Sequence, residues 1–144
     1  MSFFRIASLT AACALAASAA LSQASESFEL ELNVARDAET GGACNVVFRA
    51  RNEGPSGLDD VSFVVAIFDT NGQYMKSLRL NFGGFGPVDT RTLQFPISDA
   101  ACGDIGSIVI NDVETCAEAG TGTAIDRCKA ALRPGSLTAI RFYD

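Results

Sequence analysis

The sequence predicts an all-β fold, an antiparallel β-sandwich of about seven short strands with one short helix near the C-terminus and two disulfides. Three observations carry that expectation. From residue 28 to residue 143, apolar and polar residues alternate in runs of strand length, separated by loops bearing Gly, Pro and Asn. The strongest pair of runs, residues 61–82 (VSFVVAIFDTNGQYMKSLRLNF), is divided by Asn71-Gly72, a dipeptide suited to a tight hairpin turn. Cysteines are spread along the chain while histidine is absent, which favours disulfides over a metal site.

The first 24 residues read as a targeting segment. Arg5 supplies a short positive region, residues 6–21 are an Ala/Leu-rich apolar run, and Ser22-Gln23-Ala24 places small residues for cleavage after Ala24. A membrane anchor needs ~20 strongly apolar residues, and this run is dominated by Ala and broken by Ser and Thr. Cys13, after Thr10-Ala11-Ala12, does not fit a lipoprotein site, because the apolar run continues past it. Residues 25–144 then form a single domain, periplasmic or secreted, with no transmembrane segment.

The chain has 11 basic and 17 acidic residues, a net charge of −6. Loss of Arg5 makes it one unit more negative. With no basic cluster, nucleic acid and anionic lipid are excluded as partners.

Four cysteines follow the leader: Cys44, Cys102, Cys116 and Cys128. An even number in an exported chain reads as two disulfides. Zinc is disfavoured by the lack of histidine and of any Cys-x-x-Cys pair.

Residues 28–35 set Phe28, Leu30, Leu32 and Val34 against Glu29, Glu31 and Asn33, a strand with one wet face. Gly41-Gly42 marks a loop, and residues 44–52 alternate again with Cys44, Val46, Phe48 and Ala50 inward. After the loop at Gly54-Pro55-Ser56-Gly57, residues 61–69 carry Val61, Phe63, Val65 and Ile67 on one side. Val64, Ala66 and Phe68 stand on the other, so this strand is expected to be central and largely shielded on both faces. Asn71-Gly72 is expected to form a type I′ turn, followed by a half-buried strand with Leu78, Leu80 and Phe82 inward. Gly83-Gly84-Phe85-Gly86-Pro87 reads as a loop, and residues 90–97 as an edge strand, since Pro96 has no ladder donor. A helical turn capped at Ser98-Asp99 and a strand from residue 105 to 113 come next. Residues 120–132 have Thr123 and Asp126 spaced like a capping box, with Ile125, Cys128 and Leu132 at helical intervals. They are read as a short helix, and residues 137–143 as the last strand.

This succession of strands matches an immunoglobulin-like sandwich, and it also assigns the disulfides. Alternating strand directions put Cys44 and Cys102 at one end and Cys116 and Cys128 at the other. The other connectivities would run along the sandwich's long axis. Chain-entropy arithmetic gives about 4 kcal/mol for the longer loop and about 3 kcal/mol for the shorter, as upper values.

Val65-Ala66-Ile67-Phe68-Asp69 followed by Gly72, with Asn52 ending a strand before a Gly/Pro loop, resembles the exported bacterial immunoglobulin-like domains called FxLYD. The resemblance spans roughly residues 44–97, with Val65 and Phe68 in place of the motif's Phe and Tyr. It implies a small envelope sandwich and transfers no catalytic residue.

Without histidine, Ser-His-Asp and Cys-His catalysis are excluded, as is the usual general base. Paired cysteines leave no thiol nucleophile. Asp59-Asp60 point apart along a strand entrance, Asp69-Thr70-Asn71-Gly72 lacks the rest of a calcium loop, and the Gly83 loop lacks phosphate-loop spacing. No catalytic residue, metal ligand or cofactor is assigned. The candidate contact residues are Phe85, an aromatic either tucked over the sandwich end or exposed as a partner anchor, and Arg49 with Arg51 on an outer face, near Arg79 or Arg91. The expectation is a non-catalytic exported interaction or accessory module of the bacterial cell envelope whose partner is another envelope protein. The alternative is a periplasmic domain that binds a small ligand or carbohydrate at one sandwich end.

Overall fold

The computed structural model describes residues 26–144; the expected signal peptide, residues 1–24, lies outside the described residues. Eight strands form two four-stranded sheets. The first contains β1 (Phe28–Asp37), β2 (Cys44–Asn52), β5 (Asp89–Ile97) and β7 (Leu132–Ser136), in the order β5-β2-β1-β7. The second contains β3 (Leu58–Asp69), β4 (Tyr74–Phe85), β6 (Ile105–Glu118) and β8 (Arg141–Tyr143), in the order β4-β3-β6-β8. The all-β sandwich of the sequence reading is present.

Alternation builds the interior, shifted once in β1 by a bulge after Leu32 that packs Ala35 rather than the expected Val34 against the core. Phe28, Leu30 and Leu32 of β1, Val46 and Phe48 of β2, and Phe63, Val65 and Ile67 of β3 are all fully or nearly fully buried. Edge-on rings fill the middle: Phe48 meets Phe142 at 5.1 Å, and Phe82 meets Phe95 at 5.4 Å between centroids. Each large buried side chain stabilises the fold by roughly 1.5–3 kcal/mol.

Closure of the sandwich differs from expectation. The expected last strand, residues 137–143, shortens to β8, parallel to β6 in the second sheet, and an unexpected strand, β7, precedes it parallel to β1 in the first. Pro134-Gly135 lies inside β7, at an edge where the missing donor is tolerated. The expected helix at 120–132 shrinks to four residues, α1 (Arg127–Ala130). Four glycine and threonine residues, Gly120 to Thr123, turn back instead, with Gly120 and Gly122 at positive φ. Asp126 takes the N-cap position without a side-chain cap bond, so the capping box does not form.

The hairpin turn is also a different type. Only Gly72 has positive φ, so the type I′ geometry, which needs it at Asn71 as well, is absent. Asp69 organises the turn: its Oδ1 accepts from the backbone N–H groups of Asn71 and Gln73, both at 2.8 Å. Asp69 and Gln73 then close a three-residue loop, a tight turn followed by a left-handed glycine.

Both disulfides connect as the strand directions require. Cys44–Cys102 ties the end where β2 begins, and Cys116–Cys128 ties β6 to α1 at the opposite end. Replacing Cys44 and Cys102 by Ala is expected to lower the unfolding free energy by up to about 4 kcal/mol, and replacing Cys116 and Cys128 by up to about 3. Urea denaturation measures both. Amide exchange should separate them, because only the second pair of replacements should open residues 119–131 locally.

Candidate functional site

One end of the sandwich, where β2, β4 and β6 finish, is fastened into a single polar unit. Its centre is Asn52, fully buried at the last position of β2. The Asn52 amide donates to the carbonyls of Ser56 and Gly86, each at 2.9 Å. Its oxygen accepts from Gly54 N–H and from Arg127 Nη1, both at 3.1 Å. Arg127 also donates to the Ser56 carbonyl at 3.3 Å and to Ser56 Oγ at 3.1 Å. The loop joining β2 to β3, the loop joining β4 to β5, and α1 thus share one hydrogen-bond network.

Local chemistry explains each position. Arg127 is carried by a helix too short to be stable by itself, and the Cys116–Cys128 bond at the next residue holds it in place. Its side chain is only 6% exposed. An added Cβ at residue 54 would lie 2.3 Å from Arg127 Cζ, so any larger residue there displaces the guanidinium. Beside the network lies a cavity of ≈ 370 Å³ lined by Ser56, Arg127, Ile125 and the carboxylates of Glu26, Glu118 and Asp126.

Phe85, the sequence candidate for a partner anchor, is buried at 5% exposure at the end of β4. Its ring stands edge-on to Phe28 at 5.3 Å, with the Arg91 guanidinium 5.8 Å above it. It is the tucked alternative that holds. The exposed apolar residue of that loop is Val88, 59% exposed and at φ +49. A β-branched side chain in left-handed backbone is strained, and Val88 N–H is anchored to the Gly54 carbonyl at 3.1 Å. The sequence hid this position, because nothing in Pro87-Val88-Asp89 announces a left-handed valine.

Arg49 and Arg51 do lie on the first sheet's outer face, each beside a carboxylate. Arg49 pairs with Glu31 at 3.4 Å, and Arg51 Nε lies 3.8 Å from Glu53. Glu53 also receives Ser27 Oγ and faces Arg133 at 3.7 Å. Arg79 is on the other sheet, bound to Glu114 by two short contacts. Arg91 turns to the Phe82 carbonyl at 3.0 Å. The four arginines therefore make no common anion site. Asp59 and Asp60 likewise part, to Gly120 N–H and Thr115 Oγ1. Among the described residues, no group of three His, Cys, Asp or Glu side chains could hold a metal ion, and no helix is long and apolar enough to cross a membrane.

The two outer faces differ in chemistry. The first sheet shows Glu29, Glu31, Arg49 and Arg51, a charged surface on which Arg49 pairs with Glu31. The second shows Val64, Ala66 and Phe68 of β3 beside Val109, Tyr74 and Tyr143. The inner side of β3 is fully buried, and on the outer side Val64, Ala66 and Phe68 are half-buried, a partial shielding that follows from a fold of two layers. On this face the Arg79 guanidinium, through its hydrogen bonds, holds the Glu114 carboxyl below the usual carboxylate range.

No protein-family model and no curated protein matches the chain. A solved structure described as the structural characterisation of IrmA from Escherichia coli is similar in fold. Its TM-score is 0.56 at 13% identity, over 75% of this chain and 90% of that one.

Three measurements test this geometry. Gly54→Ala is expected to destabilise the fold by roughly 1–3 kcal/mol, through displacement of Arg127 from its buried acceptors. Combined with Arg127→Ala it should cost much less than the two single losses together, in a urea double-mutant cycle. Val88→Gly should raise stability by about 1 kcal/mol by removing the left-handed strain. The Glu114 carboxyl should titrate below an ordinary glutamate by NMR, and Arg79→Met should return it to the ordinary range. Since the folded value is depressed, the pair's contribution is present above the unfolded value and lost as pH falls through the folded one.

Proposed function

We propose that the protein is a non-catalytic interaction or accessory module exported to the bacterial cell envelope, and that its partner is another envelope protein. Two disulfides in a small acidic sandwich fit an oxidising compartment outside the cytoplasm. The resemblance of β3 to FxLYD-type envelope domains supports the same reading. Histidine is absent from the chain, and its acidic pairs are engaged in turns, strand ends and ion pairs. A scaffold rather than a reaction centre is the economical account of those residues.

The observation that carries the proposal is the fastened end. Asn52, Arg127 and the Cys116–Cys128 bond immobilise three loops, and a rigid loop cluster loses little entropy on binding. Val88 stands exposed on that unit, in a conformation maintained against strain. This end is the partner surface.

A second reading rests on the adjoining cavity. Ser56, Glu118, Asp126 and Arg127 converge on it, and its size suits a small polar ligand such as a monosaccharide or an amine.

Tagged protein should capture the same envelope protein reproducibly from an envelope extract, and Val88→Asp should abolish the capture without shifting the melting temperature by more than about 3 °C. Measured turnover together with no reproducible partner overturns the proposal. For the second reading, a thermal-shift panel of sugars and amines should find a stabilising ligand whose effect is lost in Glu118→Gln; a panel with no stabilising member refutes it.

A further inference from the structure

Residues on the outer face of the second sheet form rows that can be read from the strand register. Across the top, Asn81, Ser62 and Thr115 align; below them come Arg79, Val64 and Asp112. The third row is Ser77, Ala66, Val109 and Tyr143. The fourth is Tyr74, Phe68, Ser107 and Arg141. Phe68, Ser107, Val109, Arg141 and Tyr143 enclose a shallow recess of ≈ 340 Å³. Tyr74 and Tyr143 are 59% and 41% exposed.

Two charges on this face lack partners among the described residues. Arg141 stacks over Tyr143 at 5.9 Å and has no ion pair among the described residues. Asp112 has no hydrogen bond or ion pair there either. They sit on neighbouring strands of the face, Arg141 on β8 beside Ser107 and Asp112 on β6 opposite Val64, two rows and about 13 Å apart along the strands.

That arrangement is self-complementary. Consider a second copy laid face to face, related by a two-fold axis that crosses the strands at the Ala66–Val109 row. Arg141 of one copy then lies diagonally across from Asp112 of the other, one strand spacing aside and within reach of the long arginine side chain, twice. The large Phe68 meets the smaller Val64, the small Ala66 residues meet on the axis, and Tyr74 faces Arg79. An isologous contact requires one patch to match its own inverse, and the charges and sizes here do so.

We propose that this face is the interface of a homodimer formed by antiparallel packing of the second sheet on itself. Four strands at ~4.8 Å and seven residues at ~3.3 Å give a footprint of about 450 Å² per copy, at the low end of specific interfaces. The dimer is accordingly reversible, dissociating in the micromolar range. Its two rim ion pairs make it weaker at high salt. The inference is independent of the envelope reading, because purified protein suffices to test it and the partner surface proposed above lies at the end of the sandwich.

Sedimentation equilibrium of the purified, disulfide-bonded protein from micromolar to millimolar concentration should show a monomer–dimer equilibrium. Arg141→Asp and Asp112→Arg should each weaken it at least ~10-fold by placing like charges opposite each other. The double reversal should bring it back to within ~3-fold of the original, since the pair is re-formed with exchanged signs. Both positions are exposed, so unchanged melting of the monomer confirms that the variants are folded. A monomer at every concentration overturns the proposal and leaves the face to a different partner. A dimer indifferent to both reversals, or one that the double reversal fails to rescue, also overturns it.

Discussion

The Asn52–Arg127 hydrogen bond is the contact on which the shape of the loop-bearing end depends. A guanidinium 6% exposed must find acceptors inside the protein, because an unpaired buried group of this kind costs several kcal/mol. Asn52 supplies one acceptor and, through its amide, fixes the two loop carbonyls around it. Ser56 supplies two more. The consequence reaches the backbone: a side chain at residue 54 would compete with the guanidinium for the same space, which glycine leaves open. Loops that could each have been mobile are therefore defined by one side chain arriving from a distant part of the sequence.

That arrival depends in turn on covalent chemistry. Four helical residues do not nucleate a stable helix in water, and the region before α1 consists of turns around Gly120 and Gly122. The bond from Cys116 to Cys128 closes this short excursion and delivers Arg127 to the network. A reducing compartment would remove the constraint, and the buried arginine would then have to be held by hydrogen bonds alone. Disulfide, arginine and asparagine are thus one device, and it makes the order of the loop-bearing end dependent on oxidation.

Much of the architecture was legible because alternation is a direct consequence of strand geometry. β2 matches its expected bounds to the residue, and the end-matching of strand directions assigned both disulfides. The misreadings share one physical origin: local patterns cannot report what tertiary contacts supply. Helical spacing of Ile125, Cys128 and Leu132 survives in the sequence, yet Leu132 opens β7 because an edge of β1 was free to pair with it. Asn71-Gly72 looks like a type I′ turn until the Asp69 carboxylate captures two turn amides. At the site, Asn52 was visible only as a strand end, and Arg127 not at all, since its acceptors lie 71 and 75 positions away.

The sheet face shows the same limit from the opposite direction. Val64, Ala66 and Phe68 carry a sequence signature of a strand covered on both sides, and in a larger α/β protein a helix would cover them. This chain has no third layer among its described residues, so the apolar side of β3 meets solvent beside two exposed tyrosines. An alternating polar pattern would have sufficed if the face were meant for water, as β1 and β2 demonstrate on the first sheet with Glu31 and Arg49. Both sheets were built under the same requirement to fill one core, and they differ in what they show outside it. The first face pairs Arg49 with Glu31 and sets Arg51 and Arg133 beside Glu53, whereas the second leaves Arg141 and Asp112 without partners among the described residues. Surface apolar area of this kind is ordinarily covered in the working form of a protein. The sequence of β3 thus calls for cover on its outer side that the two described sheets do not supply.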